Sequence, residues 1–463
     1  MFLPVKMKMV FVVVMKSKLD SVIHEIARSG ICHLSDIKES ANMNSVLSSM
    51  AQSAQSAQST QSTQSTLPTT PSAHPDSEFD FTKLQNKLRN TKYTSIFEMW
   101  VPSEKTEWIV SVIEKAAEHK CAVSVTEPLF EGTPPTLLSN PPVMKPFEKL
   151  IRVYGLPSYY EFDPTAIMFV TFPLLFGMMY GDLGHGILLL LLSSLWMFAA
   201  RRSDKNMFRQ YQALSVIVLI SSLYSIMFGL LYGEFFGMEF PALWHNPVKD
   251  MLDFVKMVMV VAVAHTSLGL SFNFFNLWRN KKYIRSFLQI IWILFYIGGT
   301  LFMLLYLFIQ QPNLFSQNVK NAFLMLCIIP GCALIVGQII VSIVEDGHLV
   351  QAVVSLFELL LEYTMHLLSY ARILGMAAAH IVISKVILGI TGSGMSSFLL
   401  AVGVSFVLII VVETFICSLQ TLRLHWVEWF YIFYEGKGVA FEPLVLPSTN
   451  EVHQAIEQMI QAS

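Results

Sequence analysis

Between about residue 164 and residue 435 the chain reads as one apolar segment after another. The hydrocarbon core of a bilayer is about 30 Å thick and takes about 20 helical residues to cross. Eight segments are read as meeting that length, near 164–180, 183–200, 211–236, 252–278, 284–309, 321–344, 350–390 and 396–433. Composition points the same way: 54% of the residues are hydrophobic and only 14% charged, against about 25% charged in an ordinary soluble chain. Too little polar surface remains to wrap a soluble protein of 463 residues. A soluble enzyme is excluded, and the expected fold is a mainly α-helical polytopic membrane protein.

The part before the apolar segments is different. KMVFVVVMK reads as a strand, SKLDSVIHEIARSG as an amphipathic helix stopped by Gly30, and ICHLSDI as a second short strand. SIFEMWVP, TEWIVSVIEKAAEHK and CAVSVTEP repeat that strand–helix–strand order, so a small α+β cytoplasmic domain is expected. The first apolar run is too short for a signal-peptide core and is followed by Lys16-Ser17-Lys18 rather than by small residues, which favours a buried strand. The expected organisation is a first βαβ unit over 1–43, a disordered Ser/Thr/Gln-rich linker over 44–78, a second βαβ unit with a Pro-rich connection over 79–160, an eight-span membrane domain over 161–435 and a cytoplasmic tail over 436–463.

No basic run of any length appears, so no nucleic-acid partner is expected, and the net charge of −2 does not bear on it. Five cysteines without ligand spacing give neither a disulfide framework nor a metal site. No phosphate-binding GxxxxGK[ST] loop is present, because the EGKG at 435–438 lacks both its upstream glycine and its trailing Ser or Thr. No catalytic residue, cofactor or metal ligand is therefore expected. Lysine and arginine concentrate in the second and fourth connecting loops, as Arg201, Arg202, Lys205 and Arg209 and then Arg279, Lys281, Lys282 and Arg285. That pattern puts those loops and both termini on the cytosolic side.

Charged residues inside spanning helices cost several kcal/mol unless paired or hydrated, so each is a functional candidate. The seventh segment carries Glu358, Glu362, His366, Arg372 and His380, and the eighth carries Glu413, Arg423, His425 and Glu428. At 1.5 Å per residue, Arg372 lies about 21 Å along the helix from Glu358 and His380 about 12 Å further on. Small residues (Gly375, Ala377, Ala378, Ala379) follow Arg372 and allow another helix to approach closely. Holding two helices together needs one ion pair, whereas ion conduction needs a series of such groups through the membrane. His366 and His425 read as packing residues, Glu428 as a residue of the cytosolic interface, and Asp182 and Glu234 as solvated or capping carboxylates near external span ends.

Five motifs, in order, resemble one family: NPPVMKPFEKLIRVYGLPSYYEFDP, FDPTAIMFVTFPLLFGMMYGDLGHG, SIMFGLLYGEFFG, SYARILGMAAAH and QTLRLHWVEWFYIFYEGKGVAFEPL. They are similar to the large membrane subunit of rotary V-type and archaeal-type (A-type) ATPases, called a or I. The resemblance implies eight spans, with the last two long, tilted and wrapped around a proteolipid (c) ring. It implies a non-catalytic stator that provides two ion half-channels for H⁺ or Na⁺. By the family's motifs, the essential arginines fall on Arg372 and Arg423, Glu413 and His380 join Arg423 in the external half-channel, and Glu358 lies at the cytosolic mouth. The implied partners are the proteolipid ring, peripheral stalk subunits, the base subunit of the central stalk, the ATP-hydrolysing soluble sector and the lipid bilayer. The implied membrane is the plasma membrane of a prokaryote or that of an acidified organelle.

The sequence departs from the family where a long coiled-coil arm and a distal lobe separate the two βαβ units. The Ser/Thr/Gln repeat stands there instead, which bears on contact with the peripheral stalk. A secondary transporter and a non-conducting assembly scaffold are the alternative readings. The spans lack the broken midplane helices and inverted repeats of the first, and intact Arg372, Arg423 and Glu413 weigh against the second.

Overall fold

A computed structural model describes residues 3–35, 87–128, 134–202, 212–308, 321, 324–345, 349–391, 399, 403–404 and 406–444. The linker read over 44–78, the basic loop residues Lys205 and Arg209, the side chain of Glu362 and the tail beyond 444 lie outside the described residues. The chain divides into two compact units, one formed by Pro4–Ser139 with the segment from Lys437, the other by Asn140–Gly436.

In the first unit, strand β1 (Met7–Met15) leads into helix α1 (Leu19–Ser29), which ends at Gly30 in the left-handed conformation at φ 62°. Short β2 (His33–Leu34) follows, then β3 (Arg89–Asn90), β4 (Thr94–Pro102), α2 (Thr106–Ala116) and β5 (Cys121–Thr126). The two strand–helix–strand units do not stand side by side. They interleave into one antiparallel sheet of order β2-β4-β1-β5, with β3 also on β4, the split βαβ arrangement. Register explains the core: Val10 opposes Met99 and Val12 opposes Phe97. With the period of two along each strand, these side chains share the face buried against Val22, Ile23 and Ile26 of α1 and Ile109 and Ile113 of α2. The segment after Lys437 belongs to this unit, with the amides of Leu444 and Glu442 donating to the Cys32 carbonyl and to His33 Nδ1.

The second unit is helical: α3 (Lys145–Tyr154), α4 (Thr165–Met179), α5 (Leu183–Arg202), α6 (Gln212–Tyr232), α7 (Met251–Arg279), α8 (Tyr283–Phe308), α9 (Ile329–Glu345), α10 (Leu349–Thr391) and α11 (Phe406–Phe433). Among the described residues, six of them, α5 to α8, α10 and α11, are long and apolar enough to cross a membrane. With the apolar composition, this makes the chain an integral membrane protein. The expected eight are not reached on length. At 15 residues α4 extends only about 22 Å, and α9 continues directly from a π-helical stretch at Leu324–Ile328. The seventh segment forms 43 residues of continuous helix.

A hairpin β6 (Glu234–Phe235) and β7 (Met238–Glu239) follows α6. The core joins α4, α6, α7, α10 and α11 through Phe176, Phe228, Phe254, Tyr370, Ile373 and Ile409. A Cβ on Gly229 would lie 2.1 Å from the Leu183 amide nitrogen, so only glycine lets α6 touch the turn at Asp182. Helix α11 is not uniform, since π-helical stretches Phe406–Glu413 and Leu424–Phe430 flank the α-helical Thr414–Arg423.

Burial pushes the Cys32 thiol of the first unit up to about 12 from its ordinary value. The folded unit favours the neutral thiol, so its contribution to stability is complete below the unfolded thiol pKa and is lost as pH rises towards 12. At about pH 9, Cys32 should resist iodoacetamide in the native protein and react once denaturant is added. Peptide mass mapping checks this, and rapid native labelling would contradict the buried placement.

Candidate functional site

Tyr180 and Gly181 end α4, and Asp182 starts α5 as its cap, accepting the His185 amide at Oδ1 (2.9 Å). The β6–β7 turn comes back over the same carboxylate, where the Phe236 amide donates to Oδ1 at 3.3 Å. The other oxygen, Oδ2, faces two imidazoles, His185 Nδ1 at 3.2 Å and His380 Nε2 of α10 at 4.0 Å. On its far side, His380 Nδ1 lies 3.1 Å from Oε1 of Glu413, at the end of the first π-helical stretch of α11. All four side chains are buried, His185 at 0% and Asp182 and His380 at 1%. Tyr180 packs its ring 4.5 Å from His380, and Phe236 lies 4.7 Å from His185.

A second group forms around Arg372, which precedes His380 by about two turns of α10. Its Nη2 is 3.7 Å from Glu428 Oε1, while Glu428 Oε2 is 3.1 Å from His366 Nδ1. Glu428 is 6% exposed. It is therefore a buried acceptor between two helices rather than the interfacial carboxylate read from its place near the end of the segment. The pairing is loose at Arg372, whose Nη1 is buried with no hydrogen-bond partner among the described residues and whose side chain is 21% exposed. Arg423 of α11 is exposed and near enough to repel Arg372 electrostatically.

The five sequence candidates are thus only partly gathered. His380 and Glu413 meet, but Arg423 points away from them to the exposed surface beside Arg372. Glu358 lies exposed on the same helix, apart from both groups. Of the other residues in these two groups, the sequence reading gave Asp182, Glu428 and His366 structural roles and passed over His185. Asp182 and His185 stand in the glycine-rich GDLGHG turn, where a capping role was the simplest reading; capping is right for Asp182 and solvation is not. Nor did the spacing offer a metal site, yet Asp182, His185 and His380 present one ligand atom each within 4.8 Å of one another.

Two neighbouring histidines pack rather than pair with carboxylates. His265 stacks on Trp429 with ring centroids 4.9 Å apart and shares a 2.6 Å hydrogen bond with the Tyr370 hydroxyl. His425 sits between Thr171 Oγ1 and the Thr421 carbonyl, each at 2.8 Å. Beyond the first group, Glu234 is buried, accepts the Asn246 side-chain amide at 2.9 Å and lies 3.5 Å from Lys385. Lys385 and Lys249 both bind Glu239, and those hydrogen bonds hold its carboxyl well below the usual range.

Comparison with known proteins gives one consistent likeness. The model of the V-type ATPase 116 kDa subunit family matches residues 5–251. The A-type ATP synthase subunit I of Pyrococcus horikoshii is 30% identical over 389 residues, covering 80% of this chain and 56% of the relative. The protein of that name from Thermococcus kodakarensis is 28% identical with the same shares covered, and that from Archaeoglobus fulgidus is 26% identical over 79% of this chain and 61% of its own. The chain thus spans somewhat more than half the length of these relatives.

A buried carboxylate that answers a guanidinium should couple to it energetically. A double-mutant cycle of Glu428→Gln and Arg372→Met, read by thermal unfolding in detergent, should give a favourable coupling of between about 0.5 and 3 kcal/mol. Additivity of the two effects would contradict the pairing.

Proposed function

The chain belongs to the V-type ATPase 116 kDa subunit family, and from that premise we propose that it is the ion-translocating stator subunit of a rotary ATPase. It assembles with the other subunits of such a complex, holds the essential arginine against a proteolipid ring and provides two half-channels for H⁺ or Na⁺. The observation that carries this reading is the setting of Arg372. Its guanidinium is only loosely held by Glu428, 3.7 Å away, and retains exposure at the helix surface.

That surface is suited to another helix. Met365, Leu368, Val382 and Val386 lie along one side of α10 and are all at least 49% exposed, and Ala371 and Gly375 beside Arg372 are exposed and small. On α11, Leu408, Val412, Phe415, Leu419 and Val427 form a similar exposed stripe that includes Arg423.

The chemistry follows from the fixed charge of arginine, which stays protonated at any physiological pH. A ring carboxylate moving to face Arg372 gives up its ion, because the guanidinium stabilises the empty, negative form. It reloads after passing on to the other half-channel. The same positive charge repels a free cation and closes the direct route between the half-channels. His380 and Glu413 with Asp182 behind them supply titratable groups for the external half-channel, and Glu358 supplies one for the cytosolic mouth.

Arg201 and Arg202, with Arg279, Lys281, Lys282 and Arg285, support cytosolic placement of those loops and of both termini. The short α4 and α9 complete eight spans in this reading. The first unit corresponds to the membrane-proximal lobe of the family's cytoplasmic domain, and the Ser/Thr/Gln repeat between its two strand–helix–strand units stands where the family has its arm.

Replacing Arg372 with Gln removes the fixed charge at nearly the same volume. In vesicles carrying the assembled complex, Arg372→Gln should reduce ATP-driven ion uptake to background while membrane insertion and subunit assembly persist. Normal uptake by that complex would overturn the proposal.

A further inference from the structure

We propose that Asp182, His185 and His380 form a binding site for a divalent transition metal of the Zn²⁺ type, backed by Glu413. The three side chains converge from two helices and offer a carboxylate oxygen and two imidazole nitrogens, a donor set suited to zinc or cobalt rather than to magnesium or calcium. Tetrahedral zinc has bonds of about 2.0–2.2 Å, which places its ligand atoms about 3.4 Å apart. Asp182 Oδ2 is 3.2 Å from His185 Nδ1 and 4.0 Å from His380 Nε2. Side-chain adjustments of the order of 1 Å would therefore close the set around a metal, leaving a fourth position for water.

Two further observations point to a ligand. Among the described residues, Nε2 of the fully buried His380, which faces Asp182 at 4.0 Å, and Nε2 of His185 have no hydrogen-bond partner, although buried imidazoles are ordinarily satisfied. The surroundings are also those of an oriented ligand set. Asp182 Oδ1 is fixed by the amides of His185 and Phe236, so that Oδ2 is turned to the imidazoles. Glu413 Oε1, 3.1 Å from His380 Nδ1, favours the proton on that nitrogen and leaves the Nε2 lone pair facing Asp182. A carboxylate behind a histidine in this way orients the ring and raises its basicity, as in metal sites generally. Tyr180 and Phe236 close the sides with aromatic rings.

The site shares His380 and Glu413 with the proposed external half-channel. On that reading, a bound metal would occupy the ion path and inhibit transport. Metal binding itself does not depend on it, so the test reads binding.

The purified full chain, stripped of metal and titrated with Co²⁺, should develop the visible absorption of tetrahedral cobalt. It should saturate at one equivalent and be displaced by Zn²⁺. His185→Gln and His380→Gln should each abolish the spectrum, Glu413→Gln should weaken binding about 10–100-fold, and His245→Gln, at an exposed imidazole, should leave it unchanged. His185→Cys keeps a ligand and should add a thiolate-to-metal charge-transfer band, which separates loss of a ligand from loss of the fold. The absence of a tetrahedral spectrum in the full chain, its survival in both His→Gln variants, or an unaltered spectrum in His185→Cys would overturn the proposal.

Discussion

A charge carried into an apolar helix bundle has to be answered there, because the cost of leaving it unpaired is several kcal/mol. In this chain that requirement joins helices that share few other reasons to meet at fixed heights. Glu428 of α11 answers both Arg372 and His366 of α10. Two turns further along, Glu413 of α11 and Asp182 at the start of α5 flank His380 of α10. The two longest charged segments are thus locked in register by a pair of polar contacts, with Tyr370, Ile373 and Ala377 packed between them in the core. The polar contacts add to the packing of these side chains in specifying that register.

The two polar groups differ in a way that matters for the proposed mechanism. The group around His380 is buried and flanked by aromatic rings. The group around Arg372 is open on one side, and its arginine is held at a distance that leaves it free to meet another partner. A tightly paired guanidinium would have little left to offer a passing carboxylate. A wholly exposed one would be unstable among lipid tails. Glu428 provides an intermediate hold, and His366 in turn keeps Glu428 in place.

Much of the fold was legible because it follows local periodicity. The strands at Met7–Met15 and Thr94–Pro102, both amphipathic helices and the stop at Gly30 follow from residue spacing. The interleaving of the strands was not legible, since it depends on pairing between Val10 and Met99 across the whole unit. Apolar segments located the helices, and the Gly-Asp turn separated the first from the second, but the segment over 164–180 gives only the 15-residue helix α4. For the site, the cost of charge in a membrane picked out Arg372, His380 and Glu413 directly. It read Glu428 as interfacial from its place near the end of the segment, since the partners that bury it, Arg372 and His366, stand on another helix. It passed over His185, whose carboxylate partner Asp182 is only three residues away, because the second imidazole of the group, His380, comes from a distant helix.

The central claim is that the exposed face of α10 bearing Arg372 meets the carboxylate-bearing helix of a proteolipid ring. Disulfide cross-linking in the assembled complex tests it most directly, with a cysteine beside the ring carboxylate and a second at Gly375 or Ala377. Gly375 is on the exposed face and Ala377 is 2% exposed, turned into the core. The account predicts cross-linking from Gly375→Cys and none from Ala377→Cys. Cross-linking from Ala377→Cys alone, or from neither position in a complex that still pumps, would contradict it.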